Sequence, residues 1–537
     1  MKKIQNMKTM KFYNAMKVKL WMAGLLAFSM TINSCEQFDL EEDPTQALLA
    51  VVPYNNIAEL ELAVNGIYGQ LRSAAWMTTF YVNGWSGDDI TTHRASNKAD
   101  FREYDQRNVV QSNGRTATNW RGVYSMILAA NTVLTNLEGV ELTEKGAQDV
   151  FTGETYFLRG LMFYQMARVH GRIPLPLSIE VDPEIGLASQ VEVYQQIESD
   201  MLRAESLLPT STNVGASRPN AGSARAILAR LYLDWAGFPV KDAGKYAEAA
   251  ASAKQVMDNA GAHGFALVDD MASLYTIAGR FNSESLFTIA YCTPCGLANR
   301  KHGKLGLPSG APTNGWQETF AEIRFFEDFP EGPRKDATYH VAMPLAADGS
   351  IISDASTTPV DSLPWTEFKD QQNPVFRKIV GPFEEGTWQG FQSDRNDYFM
   401  RYAEILLIYA EASGEAGSAG ADAWAALNAV RTRAGLPDVS AADGTIQDLA
   451  FQERKWELAG EYLRWNDLVR KEQVEAALGG TARDPRVSIG TVFDGDGNGT
   501  PTPLTAPSNP ILGGLSTSNY FAPLPEGEVA RLPNLGN

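Results

Sequence analysis

The chain has 537 residues, 44% of them hydrophobic and 10% aromatic, which is enough to bury a sizeable core and excludes wholesale disorder. Its formal charge is −18, and the first 34 residues hold six lysines and no acid, so the remainder is more acidic still. Such a surface repels phosphate backbones, which argues against nucleic-acid binding, and three cysteines are too few for a disulfide framework.

Residues 1–34 read as a lipoprotein signal peptide. Lys2, Lys3, Lys8, Lys11, Lys17 and Lys19 precede an apolar run, LWMAGLLAFSM, of signal-peptide length and too short to span a bilayer. The run ends at Ile32-Asn33-Ser34-Cys35, an aliphatic residue and small residues before a cysteine, like a bacterial lipobox. Cys35 is the expected lipid attachment site, with an ordinary cleavage site as the alternative. Residues 35–55 form the expected tether, acidic at Glu36, Asp39, Glu41, Glu42 and Asp43. No later stretch reaches about 20 uninterrupted apolar residues, so no transmembrane helix is expected in the mature protein.

Helical periodicity dominates residues 56–264 and 398–537. Helices are predicted at Ile57–Ala75, Thr118–Leu137, Glu144–Val169, Val191–Leu207, Tyr398–Glu415, Ala421–Ala434 and Ile446–Lys471. Ala224, Ile227, Leu228, Leu231 and Trp235 repeat at helical spacing, as do Tyr246, Ala249, Ala250, Ala253 and Met257, which fits a hairpin of the tetratricopeptide (TPR) type. From Tyr156 to Val169 the sequence is apolar nearly all round, so this helix is expected to be buried and its Arg159 and Arg168 to need partners. Gly171, Pro174 and Pro176 end it. Residues 265–397 change texture: Gly, Pro, Asn and Ser punctuate short strand-like runs, as expected of a loop-rich ligand-binding insertion.

Several stretches together resemble the SusD/RagB family of outer-membrane nutrient-binding lipoproteins. They are LRGLMFYQMARVHGRIPLP, AGSARAILARLYL, RYAEILLIYAEA, LNAVRTRAGLP, ERKWELAGEYLRWNDLVR and FAPLPEGEVARLPNL, in order along the chain. Arg172 stands where the family commonly has an acid, and Leu532 where a polar residue is commoner. The resemblance implies an all-α scaffold of TPR-like hairpins with a loop-rich insertion carrying a few short strands. It also implies a surface-exposed, lipid-anchored outer-membrane protein that captures oligosaccharides, or in some members peptides, for a SusC-like TonB-dependent transporter. No enzymatic role is expected, since HExxH, GxSxG and P-loop strings are absent. A helical carbohydrate-active enzyme remains the third reading.

Sugar rings stack on aromatic faces, and their hydroxyls need planar polar partners. Asn83, Trp85, Asp88, Asp89 and Arg94, close together in NGWSGDDITTHR, are therefore ligand candidates, in a region that lies near the family's ligand site. The alternative is that Asp88 and Asp89 cap a helix or pair with Arg94 or Arg102. Trp76, Trp316 and Trp388 are further candidates against a core assignment. Arg401 with Glu404, and Arg464 with Asp467, are read as intrahelical structural pairs. Asp494, Asp496 and Asn498 resemble the start of a calcium loop, but Thr505 stands where its bidentate acid belongs, so a structural calcium competes with a plain Asp/Gly turn and no cofactor is required. Cys292 and Cys295, as CxxC outside the cell, are expected to form a local disulfide.

Overall fold

The computed structural model describes residues 52–76, 79–93, 96–212, 217–308, 312–368, 372–390, 393–480, 491–492, 502–503 and 510–536. Helices α1 (Ile57–Trp76), α2 (Gly114–Asn136), α3 (Lys145–His170), α4 (Gln190–Leu207), α5 (Ala221–Ala236) and α6 (Lys245–Asp258) follow one another along the chain. From α3 to α6 each packs on the next. Helix α7 (Tyr402–Glu415) then packs on α6 and receives α8 (Ala421–Arg433) and α9 (Ile446–Glu457), so the stack resumes where the insertion ends. Among the described residues no helix is long and apolar enough to cross a membrane.

Local chemistry sets the boundaries. Ser189 closes a capping box with Glu192 at the start of α4, and Asn220 does the same with Ser223 at α5. Gly171, at φ 73°, ends α3, and its N–H donates to Ala167 O at 2.8 Å. The proline-rich exit beyond it is held by α2: Tyr124 donates to Pro174 O and Asn131 to Pro176 O, both at 2.9 Å. Helix α3 is buried from Phe157 to His170. Both of its arginines find acids on neighbouring helices, Arg159 gripping Asp200 through two bonds of 2.9 and 2.7 Å and Arg168 reaching Asp234 at 2.8 Å.

The strands are short and paired in twos. β1 (Ile90–Thr91) runs antiparallel to β3 (Phe320–Ala321), and β2 (Ser285–Ile289) to β4 (Asp397–Arg401). The second pair ties the two ends of the insertion together beside α7. A small separate core inside the insertion, including Leu307, Met343, Val380, Phe383 and Trp388, supports its loops.

Two expectations need correction. Residues 398–401 are strand, and the helix begins at Tyr402. Ile446–Lys471 is also not one helix, because α9 stops at Glu457 and α10 (Arg464–Arg470) starts afresh. Gly460 at φ 75° and Tyr462 at φ 61° occupy left-handed backbone between them, which no helix continues through.

Candidate functional site

The NGWSGDDITTHR stretch folds inward. Trp85 is fully buried, its ring centroid 4.4 Å from that of Phe101 and 5.0 Å from that of Tyr462, and its indole N–H donates to Glu318 O at 2.9 Å. A ring enclosed on this scale cannot be a stacking platform, and the ligand role expected of Trp85 is corrected to core. Asn83 is also buried and donates to Asn466 Oδ1 at 3.0 Å. Asp88 is held by Arg464 at 2.7 Å, an arginine distant in sequence and neither of the two considered as partners. Burial alone would raise the Asp88 carboxyl, but the Arg464 guanidinium outweighs it and holds the group below its ordinary value. Asp89 is fully buried and accepts from the Gly460 N–H at 2.9 Å, while its Oδ1 has no hydrogen-bond partner among the described residues. Burial, reinforced by the Asp88 charge, pushes Asp89 up to about 7. It caps the turn that breaks the predicted Ile446–Lys471 helix.

Trp388 is likewise corrected to core: it is buried, and its N–H donates to Ile352 O and Phe383 O at 3.1 and 3.0 Å. Arg94, Cys35, Asp494, Asp496 and Asn498 lie outside the described residues, as does the side chain of Trp76. Among the described residues no group of His, Cys, Asp and Glu is arranged to hold a metal. Cys292 and Cys295 are joined in a disulfide across an exposed turn.

Trp316 is different. It is 43% exposed, the one tryptophan among the large exposed apolar side chains of the described residues. The backbone on either side is in left-handed conformation at Asn314 (φ 49°) and Gln317 (φ 58°), which costs about 1–2 kcal/mol per residue. Gly315 between them has no alternative, because a Cβ there would sit 2.1 Å from Leu307 O. Backbone bonds offset that strain: Gly315 N–H to Pro308 O and Trp316 N–H to Lys304 O at 2.7 Å, and Gln317 N–H to Leu307 O at 3.0 Å. The turn is therefore fixed before any ligand arrives.

The NGWSGDDITTHR loop holds this turn in place. β1 pairs with β3 just beyond it, His93 N–H donates to Gln317 O at 3.3 Å, and Trp85 reaches the carbonyl of Glu318. The two candidate regions thus meet, one as support and the other as surface. The Lys98 ammonium, paired with Glu318 at 3.4 Å, lies over the Trp316 ring 5.8 Å from its centroid, and the Arg300 guanidinium lies over the same ring at 5.0 Å. Burial lowers the Lys98 ammonium, and the neighbouring Arg115 and Arg300 charges lower it further, while Glu318 opposes them. Neither Lys98 nor Arg300 stands out by motif. The available signal was compositional, since residues 285–317 contain Arg300, Lys301 and Lys304 and no Asp or Glu.

Two concavities lie away from Trp316. A groove of about 560 Å³ is lined by Trp120, Tyr124, Leu128, Leu177, Ile179 and Val181, with Ser178, Glu180, Asp182 and Glu528 as its polar members. Asp88 borders a charged cleft of about 340 Å³ with Glu322, Arg324, Asp328 and Lys455, but its carboxylate is already engaged by Arg464.

Among the described residues, fold and site together define a helical-repeat scaffold that displays an exposed tryptophan on a braced turn. A family model described as "SusD family" matches residues 366–537, and a second, "Starch-binding associating with outer membrane", matches residues 39–233. The chain belongs to the SusD/RagB family. It is 25% identical to SusD-like protein P2 of Formosa agariphila, covering 96% of this chain and 99% of the relative. A SusD-like protein of Bacteroides ovatus is 24% identical, with 97% of each chain covered. Among solved structures, a SusD superfamily protein from Parabacteroides distasonis superposes with a TM-score of 0.70 at 20% identity, over 89% of this chain and 98% of the other. A laminarin binding SusD-like protein gives 0.67 at 24% identity with the same coverage. These likenesses establish the all-α, TPR-like fold with its few short strands.

Proposed function

We propose that the protein is a cell-surface lipoprotein that captures an oligosaccharide on the Trp316 face and delivers it to a SusC-like TonB-dependent outer-membrane transporter, with no bond chemistry of its own. The observation that carries the binding reading is a tryptophan 43% exposed on a strained turn braced by three backbone hydrogen bonds. A pre-organised aromatic face suits the C–H face of a sugar ring, and the exposed Asn314 beside it supplies an amide for hydroxyls. The names of relatives agree in kind: one solved structure is a laminarin binding SusD-like protein, and another is described with xylogluco-oligosaccharide.

Titration calorimetry of the protein against panels of glycans and peptides tests the binding. An oligosaccharide should bind, and Trp316→Ala should weaken it roughly tenfold, about 1.4 kcal/mol, with the circular dichroism spectrum unchanged. Binding of peptides alone, or an affinity indifferent to Trp316, would replace this reading. Anchoring is tested separately. Cys35→Ala should move the protein from the membrane fraction to the soluble one, and its persistence in salt-washed membranes would count against lipidation.

A further inference from the structure

The groove of Trp120 and Tyr124, beside the exit from α3, takes no part in glycan capture on the Trp316 face. We propose that it is a docking site for an extended apolar peptide segment flanked by lysine or arginine. Another polypeptide chain supplies the segment, which adds as an extra strand alongside Leu175 and Leu177.

The carbonyls of Pro174, Pro176 and Ser178 all accept from side chains of α2, the first from Tyr124 at 2.9 Å and the other two from Asn131 at 2.9 and 3.2 Å. Acceptors on one side at every second residue mark an extended chain, whose intervening residues turn their N–H and C=O to the other side. The two prolines leave no N–H stranded against α2. On the opposite side Ile173 O accepts from the Ala188 N–H at 3.0 Å, so this edge is paired at its start. At the next two positions in phase, Leu175 and Leu177, neither N–H nor C=O has a hydrogen-bond partner among the described residues. An edge paired at one end and open beyond it is a template for a further strand.

Side chains decide what that strand must carry. Around the groove of about 560 Å³, Leu128, Leu177 and Val181 are 45, 47 and 88% exposed, an apolar surface that suits the side chains of an incoming segment. The lining also holds Glu180, Asp182 and Glu528, and no Lys, Arg or His. The Glu180 carboxylate has no partner among the described residues, and Asp182 uses only Oδ1, on the Glu184 N–H at 2.9 Å. Glu528 is reached by Arg531 at 3.5 Å, on the surface. Acids with open valences around an apolar groove favour a segment with cationic flanks and repel an acidic one.

The test is fluorescence anisotropy with the full-length protein in detergent and short labelled peptides whose core alternates leucine and valine. A core between lysine pairs should bind about tenfold or more tighter at low salt than the same core between glutamate pairs, and salt should narrow the gap. N-methylation of one alternate set of core residues should cost about tenfold, and of the other set much less, because only one edge of the peptide faces Leu175 and Leu177. Leu177→Asp should weaken binding about tenfold or more without moving the melting temperature, and Glu180→Lys should shrink the preference for lysine flanks. Trp316→Ala should leave peptide affinity unchanged. Affinity indifferent to Leu177→Asp, or lost with Trp316→Ala, would overturn the assignment to this groove. Equal effects of the two methylation sets would overturn strand addition, and glutamate flanks bound as well as lysine flanks would overturn the cationic partner. Sedimentation showing a dimer that Leu177→Asp dissociates would give the groove to a second copy of the chain instead.

Discussion

Trp85 and Trp316 sit in the same local sequence, Asn-Gly-Trp, and do opposite things. The difference comes from residues far along the chain: Phe101, Tyr462 and the Glu318 carbonyl enclose the first ring, whereas the turn at 312–317 points the second outward. No local pattern distinguishes the two, so the sequence identifies both as candidates and cannot rank them. The energetic consequence is sharp. Trp85→Ala should cost about 3–5 kcal/mol in urea denaturation, because it empties a filled site and leaves the Glu318 carbonyl without a donor. Trp316→Ala should change stability by no more than about 0.5 kcal/mol in the same assay, as expected for a surface position. Similar losses for both variants would mean that Trp316 is also a packing residue.

At the scale of elements, most helices were legible because a buried face repeats every three or four residues, and α1, α3 and α4 end within a residue or so of their predicted bounds. What the pattern misses is where charged side chains turn. Arg401 and Glu404 have intrahelical spacing, yet Arg401 ends β4 in extended conformation and does not share a helix face with Glu404. Instead it contacts Glu284 at 2.5 Å, Glu457 at 2.9 Å and Glu461 at 2.6 Å, joining the insertion, α9 and the turn after it. Glu404 in turn binds Arg230 of α5 and Arg454 of α9. Likewise, the break at Gly460 is invisible in the apolar periodicity because Asp89, which caps it, is distant in sequence. Arg401→Ala should therefore destabilise by about 3–5 kcal/mol in equilibrium denaturation, since the buried Glu284 and Glu457 and the partly buried Glu461 lose a shared counter-charge. A loss below about 1 kcal/mol would show that Arg433, Arg334 and Lys378 suffice to hold that acid cluster.

For the whole molecule, buried titratable groups oppose one another as pH changes. His170 is lowered by burial to about 4 and His340, also by burial, to about 3, both from 6.5. Each contributes stability that is present above 6.5 and lost as pH falls through its folded value. Glu461 adds to the acid limb. Burial would raise it, but Arg401 and Lys378 hold it at about 2, so its contribution is fully present above 4.5 and lost as pH falls from there through about 2. Asp89 has the reverse sign. Raised from 3.8 to about 7, it favours the folded state fully below 3.8, and that contribution disappears as pH rises through 7. Between about pH 4 and 6.5 the two histidines gain while Asp89 loses, so the balance of these three groups still rises with pH, less steeply than the histidines alone would make it. Asp89→Asn keeps an oxygen to accept the Gly460 N–H and removes the titration. Relative to wild type, the variant should gain stability steadily as pH rises from about 4 to 7 and then level off, by up to about 4 kcal/mol from the size of the shift. Urea denaturation of both proteins across that range measures the difference. A gap independent of pH would mean that Asp89 is ionised throughout, and that the Gly460 bond and nearby cations meet the cost of burying its charge.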